Sequence, residues 1–252
     1  MARIFGLAIY ALIVSCAPSS PLLDMQAGEQ GRVVKIIDGD ALILESGQSV
    51  RLVSILAPVL SPRDRPPERY AGESARTLED LALGRRVQLY YPGLTRDRYD
   101  RALAHVVTID AAGPQIWLNQ EMLARGAARV RLYSSTAARG QDLLAAEDTA
   151  RDAKRGLWAL ADYQTLDAEI WQETQLGFRE IAATLAERQL STSEERYAPA
   201  CVWTLEGTLL TLRVTQDAAA VCGLRPGTNI SVRGWISPQA IELNHPWHWR
   251  LP

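Results

Sequence analysis

The chain has 252 residues, 47% hydrophobic and 22% charged, a globular composition that excludes a disordered, collagen-like or multi-span membrane chain. Its 27 basic and 29 acidic residues leave a net charge of −2, which excludes a uniformly basic nucleic-acid coat but not a local basic site. Three cysteines are too few for a disulfide framework, and three histidines without a Cys/His cluster speak against structural zinc.

In chain order, residues 1–15 (MARIFGLAIYALIVS) carry an early positive charge at Arg3 and an apolar run from Phe5 to Val14. The run is too short to anchor as a spanning helix and reads as a signal peptide; the competing reading is a buried N-terminal helix. It ends in Ile13-Val14-Ser15-Cys16, which resembles a bacterial lipobox. That resemblance implies cleavage before Cys16 and lipidation of it, hence an exported, membrane-anchored protein of the cell envelope. Otherwise Cys16 is a bystander behind an ordinary cleaved signal. Residues 16–30, rich in Pro, Ser and Gly, read as a flexible tether. Export leads to an oxidising compartment. With Cys16 lipidated, Cys201 and Cys222 remain either to pair as a disulfide or to lie as two small buried thiols.

Residues 31–57 have strand character, broken by the turn signal Asp38-Gly39-Asp40. A Pro- and Arg-rich loop spans 61–67. Ala75, Leu78, Leu81 and Ala82 recur at helical spacing before Gly84. RRVQLYY and LAHVVTI predict strands around the loop 92–101, and ARVRLY predicts another. Helices are predicted over 119–125 and 139–154, with Trp158 packing behind the second. This order suits a small β-barrel with attached helices over 31–160. Ile170, Trp171, Leu176, Phe178, Ile181 and Leu185 form the apolar side of a predicted helical connector within 161–195, read as core packing or, alternatively, as a partner-binding amphipathic helix. Residues 196–252 return to strand patterns and predict a small, all-β C-terminal domain. There, alternation in HPWHWRL sends Trp247 and Trp249 one way, as buried packing or as a stacking or headgroup surface, and His248 the other.

Five motifs in order carry a resemblance. Val34-Lys35-Ile36-Ile37-Asp38-Gly39-Asp40 is similar to the first strand and Asp-Gly-Asp turn of the staphylococcal-nuclease-like (thermonuclease) family. Arg51-Leu52 followed by Pro58 resembles its Arg-Leu-x-x-x-Asp-x-Pro-Glu motif, and Asp97-Arg98-Tyr99-Asp100-Arg101 its Asp-Lys-Tyr-Gly-Arg motif. The segments around Leu118-Asn119 and Ala146-Glu147 through Trp158 resemble its closing helices. The C-terminal segment around Arg233-Gly234-Trp235 and Ile241–Pro246 resembles the β-rich tail of some exported bacterial relatives, more weakly. The resemblance implies an α+β fold: a five-stranded OB barrel with three helices, here followed by the connector and the β-rich domain. It implies hydrolysis of DNA or RNA phosphodiesters with Ca²⁺.

That reaction needs cationic donors for the phosphoryl oxygens, oxygen ligands for the hard cation and a base for the attacking water. By the resemblance, Arg51 and Arg101 stand at the phosphate-binding positions, and a guanidinium fork suits that task. The alternative is surface arginines. Asp40 stands at a metal-ligand position, or is a turn aspartate bonding the backbone. The second metal carboxylate is replaced by Leu56 and the base by Val59, neither of which can bind a cation or take a proton. Asp64 and Glu68 could swing in as substitutes or remain solvated loop charges. Asp100, where the family has glycine, could neutralise Arg101 or be a plain turn residue. Tyr90, Tyr91 and Tyr99 could stack bases or pack in the core or rim. Residues 31–158 carry 19 basic and 16 acidic side chains, net +3, enough for local, salt-sensitive phosphate binding. Three readings remain open: a divergent envelope nuclease with impaired hydrolysis, a pseudonuclease that binds nucleic acid or another polyanion, and an envelope protein-interaction module.

Overall fold

The computed structural model describes residues 22, 24–61, 66–111, 113–172, 175–191 and 198–252. In the first unit the elements are β1 (Gln26–Asp38), β2 (Ala41–Leu44), β3 (Ser49–Leu52), β4 (Ile55–Leu56), α1 (Ala71–Ala82), β5 (Arg86–Tyr91), β6 (Ala102–Thr108), α2 (Leu118–Ala124), β7 (Arg129–Val130) and α3 (Gly140–Asp152). Strands β1-β2-β3-β6-β5 close a barrel. All its pairs are antiparallel except β3 with β6, where Arg51 lies opposite Leu103. This is the α+β, OB-type barrel with three helices that the motifs imply. Alternation builds it: Val50 and Leu52 point into the core while Arg51 between them points out. Leu78 and Leu81 turn the apolar face of α1 onto the same core. Each such buried leucine contributes about 1.5–3 kcal/mol.

The tether ends sooner than its composition suggests. Residues 26–30 belong to β1, with Gln26 and Ala27 paired to Tyr91 and Tyr90. The strand predicted from ARVRLY shrinks to Arg129–Val130, paired with Ile55–Leu56.

The second unit contains β8 (Leu166–Asp167), β9 (Gly177–Leu190), β10 (Cys201–Leu205), β11 (Thr211–Val214), β12 (Asn229–Ile236), β13 (Ala240–Leu243) and β14 (Trp249–Arg250). The helical connector predicted within 161–195 is corrected here: its main element is the 14-residue strand β9. Ile181 and Leu185 point into the second unit's core, with Ala183 packed against it. Phe178 and Glu180 face the first unit, meeting Arg129 and Arg151. A strand buried on both faces thus shows apolar residues at 178, 181 and 185, which mimics helical spacing. Pairing to two neighbours overrides the helix preference of its Ala, Glu and Leu residues.

The pairing of β12 with β9 along eight residues, Gly177–Thr184, closes the ring β9-β10-β11-β13-β12. Its single parallel pair within the ring is β11 with β13. The β-rich C-terminal unit is therefore a second closed barrel with the strand order of the first. A disulfide joins Cys201 to Cys222 with Cα atoms 5.9 Å apart.

The barrels dock through a buried ionic network. Arg233 of β12 reaches Glu147 of α3 at 2.9 Å and Glu180 of β9 at 3.2 Å, and Arg151 of α3 meets Glu180 at 2.9 Å. In the HPWHWRL segment His245 and His248 are buried, and His248 accepts from the Leu132 amide at 2.9 Å. Trp247 is partly exposed and lies against Gly140, where any side chain would strike its ring.

Candidate phosphate-binding cleft

Asp38-Gly39-Asp40 forms the tight link between β1 and β2. A Cβ at Gly39 would overlap Ser74 Oγ and come within 2.8 Å of the Ala57 methyl, so only glycine lets the turn lie against α1. The turn drops the Asp40 carboxylate into the protein, where it is 1% exposed. Its Oδ2 accepts from the Ala57 amide at 2.8 Å and pairs with Arg51 at 2.7 Å. Its Oδ1 is buried and has no hydrogen-bond partner in the structure. Burial pushes the Asp40 pKa up to about 6 against the pull of Arg51 and the Ala57 amide.

Arg51 and Arg101, far apart in sequence, line one cleft of about 510 Å³ together with Asp97, Arg131 and Tyr133. Arg101 is held by Asp97, which accepts from its Nε at 2.7 Å and from its backbone amide at 3.0 Å. Burial favours the neutral form of Asp97, but the hydrogen bonds from Arg101 outweigh it and hold the pKa below the usual range. Asp100 does not neutralise Arg101: its side chain is exposed, faces Arg96 at 3.9 Å and sits in a left-handed turn. Tyr90 and Tyr91 are buried rather than free to stack, and Tyr91 bonds Arg96 at 2.6 Å. Tyr99 is exposed, with the Arg101 guanidinium 5.5 Å from its ring centre.

Arg131 is the cleft residue that sequence reasoning missed. Among the described residues it has no carboxylate within ion-pair distance, although burial depresses its pKa. The signal was present in the predicted strand ARVRLY, whose alternation puts Arg129 and Arg131 on one side. Arg129 goes elsewhere, donating to the Phe178 carbonyl at 2.7 Å.

Leu56 is 8% exposed and paired in β4, and Val59 is half-buried; neither lines the cleft. Glu68 does approach Val59, but its carboxylate accepts from the Val59 amide at 3.0 Å and so clamps the loop. Asp64 and Cys16 lie outside the described residues.

The calcium ion implied by the resemblance needs several anionic oxygens. Asp40 offers one unpartnered oxygen beside a guanidinium, and Leu56 and Val59 offer no side-chain oxygen at all. Among the described residues no three His, Cys, Asp or Glu side chains come together as a cation site. The residues at this turn do not fit a calcium ion.

A family model described as "Staphylococcal nuclease homologue" matches residues 49–160. The chain is 26% identical to a thermonuclease of Staphylococcus hyicus over 136 residues, which is 51% of this chain and 75% of that protein. It is 32% identical to a thermonuclease of Staphylococcus intermedius over 114 residues, which is 42% of this chain and 62% of that protein. The barrel, its ordered motifs and these matches agree: residues 49–160 are similar to the staphylococcal nuclease family.

Proposed function

We propose that the cleft binds the phosphodiester backbone of nucleic acid and that this nuclease-family domain hydrolyses it poorly. The observation that carries the reading is the donor set. Arg51, Arg101 and Arg131 surround one cleft, while the two carboxylates nearest to them, Asp40 and Asp97, are held in ion pairs. Guanidiniums can grip phosphate and stabilise charge growing on it. No carboxylate of this set is free to take a proton from water, and loss of a base lowers the rate about 10²–10⁴-fold.

The test assays the full chain for cleavage of single-stranded DNA with Ca²⁺ or a chelator, and for binding by fluorescence anisotropy. Salt-sensitive binding, lowered by Arg101→Ala, is expected, with cleavage at least about 100-fold slower than that of the S. hyicus thermonuclease measured alongside. Wild-type cleavage at the relative's rate overturns the impairment.

The same proposal places the chain at the cell envelope through lipid on Cys16. Its support is the N-terminal pattern of Arg3, the apolar run and Ser15 before Cys16. Cys16→Ala is expected to move the protein from the membrane fraction to the soluble one, and unchanged fractionation refutes the anchor.

A further inference from the structure

Arg131 sits where the two barrels meet. Its guanidinium lies 4.9 Å from the ring centre of Tyr133, 5.4 Å from that of Trp235 and 5.7 Å from that of Phe178. The last two rings belong to the second barrel, directly paired across β9 and β12. Phe178 is buried beneath the guanidinium, but Trp235 is 51% exposed and Tyr133 is 42% exposed. Tyr133 also lines the cleft, so cleft, guanidinium and tryptophan form one continuous surface. Two large rings left open to solvent around a cation with no ion pair among the described residues are poor candidates for packing alone. Two residues before Trp235 on β12, Arg233 is pinned to Glu147 and Glu180.

We propose that Arg131, Tyr133 and Trp235 form a binding site for single-stranded nucleic acid at the junction of the barrels, continuing the track that begins at Arg51 and Arg101. This rests on the phosphate-binding reading of the cleft. Arg131, which has no carboxylate within ion-pair distance among the described residues, takes a phosphate, and the exposed rings take unpaired bases. Stacking of this kind tolerates any base sequence because every base has a π-face. A duplex hides those faces, so the second barrel confers preference for single strands.

The experiment measures anisotropy of a labelled oligothymidylate and of a duplex of equal length with the full chain. Trp235→Ala is expected to weaken single-strand binding roughly tenfold and to leave duplex binding and the thermal midpoint unchanged. Trp235→Phe, which keeps a π-face, retains most of the affinity, and Arg131→Gln weakens both ligands. If Arg101→Ala weakens binding while Trp235→Ala and Arg131→Gln bind like wild type, the junction site is refuted and the cleft reading stands. Equal losses on single strand and duplex for Trp235→Ala also refute it, because the ring then acts structurally. Trp235-dependent binding to vesicles containing phosphatidylglycerol, with oligonucleotide affinity unchanged, makes the partner a membrane and overturns the proposal. Absence of any wild-type oligonucleotide binding overturns this site and the cleft reading together.

Discussion

Arg233→Met is the sharpest probe of how the second barrel is joined to the first. The wild-type guanidinium contacts both oxygens of Glu147, at 2.9 and 3.0 Å, and Glu180 at 3.2 Å, with the Val130 carbonyl at 3.3 Å. Methionine preserves much of the buried volume but removes the charge. Glu180 then keeps Arg151 at 2.9 Å, Arg250 at 3.1 Å and Ser231 at 2.9 Å. Glu147, which is fully buried, keeps only the Val130 amide and a distant Arg151 at 3.9 Å. Leaving one buried partner uncompensated costs about 3–5 kcal/mol, a large share of the ~5–15 kcal/mol that holds a domain folded. Urea denaturation at neutral pH should show that loss as a lower midpoint. Adding Glu147→Gln should recover part of it, because the orphaned charge is then gone, and the cycle of single and double variants reads the coupling. A loss below about 1 kcal/mol, or additive effects in the cycle, would refute the view that this pair locks the barrels together.

Other consequences are open to direct measurement. Burial would raise the Glu180 pKa, but Arg233 and Arg151 outweigh it and hold it at about 2 against an ordinary value of 4.5. The folded value is the lower one, so this stability is present above pH 4.5 and lost as pH falls through 2; it amounts to about 3 kcal/mol, and Glu180→Gln should flatten the acid limb of a denaturation profile. Asp40→Asn keeps an acceptor for the Ala57 amide but releases Arg51, and should raise oligonucleotide affinity about tenfold; unchanged affinity in anisotropy would remove Arg51 from the cleft's working set. Reduction of Cys201–Cys222, which spans 21 positions, should lower stability by about 3 kcal/mol, seen as a reductant-dependent shift of the urea midpoint.

Doubling of the barrel bears on the nucleic-acid binding proposed above. The first barrel supplies the paired arginines Arg51 and Arg101, whose charges Asp40 and Asp97 balance. Arg131, without a carboxylate in ion-pair distance among the described residues, lies at the seam, where the second barrel contributes Phe178 and Trp235. On the junction-site proposal, a preference for single strands would rest with the second barrel and not with the cleft of the first.

What could be read without coordinates was local. Alternation around Val50 and Leu52, helical spacing in Leu78 and Leu81, and the turn at Gly39 depend on neighbours a few residues away, and the structure places all three as the pattern implies. The altered positions Leu56 and Val59 were equally plain, because a side chain without oxygen or nitrogen cannot act as base or ligand in any fold. What needed tertiary structure was everything decided by partners distant in the chain. Strand β9 carries helix-favouring residues and helix-like spacing, and only its simultaneous burial against β12 and the first barrel makes it a strand. Likewise Arg131 and Trp235 are separated by more than a hundred residues and look like ordinary surface side chains. Docking of the two barrels through Arg233 and Glu147 brings that cation and that ring together, because side-chain chemistry is written residue by residue whereas proximity is set by the packed core.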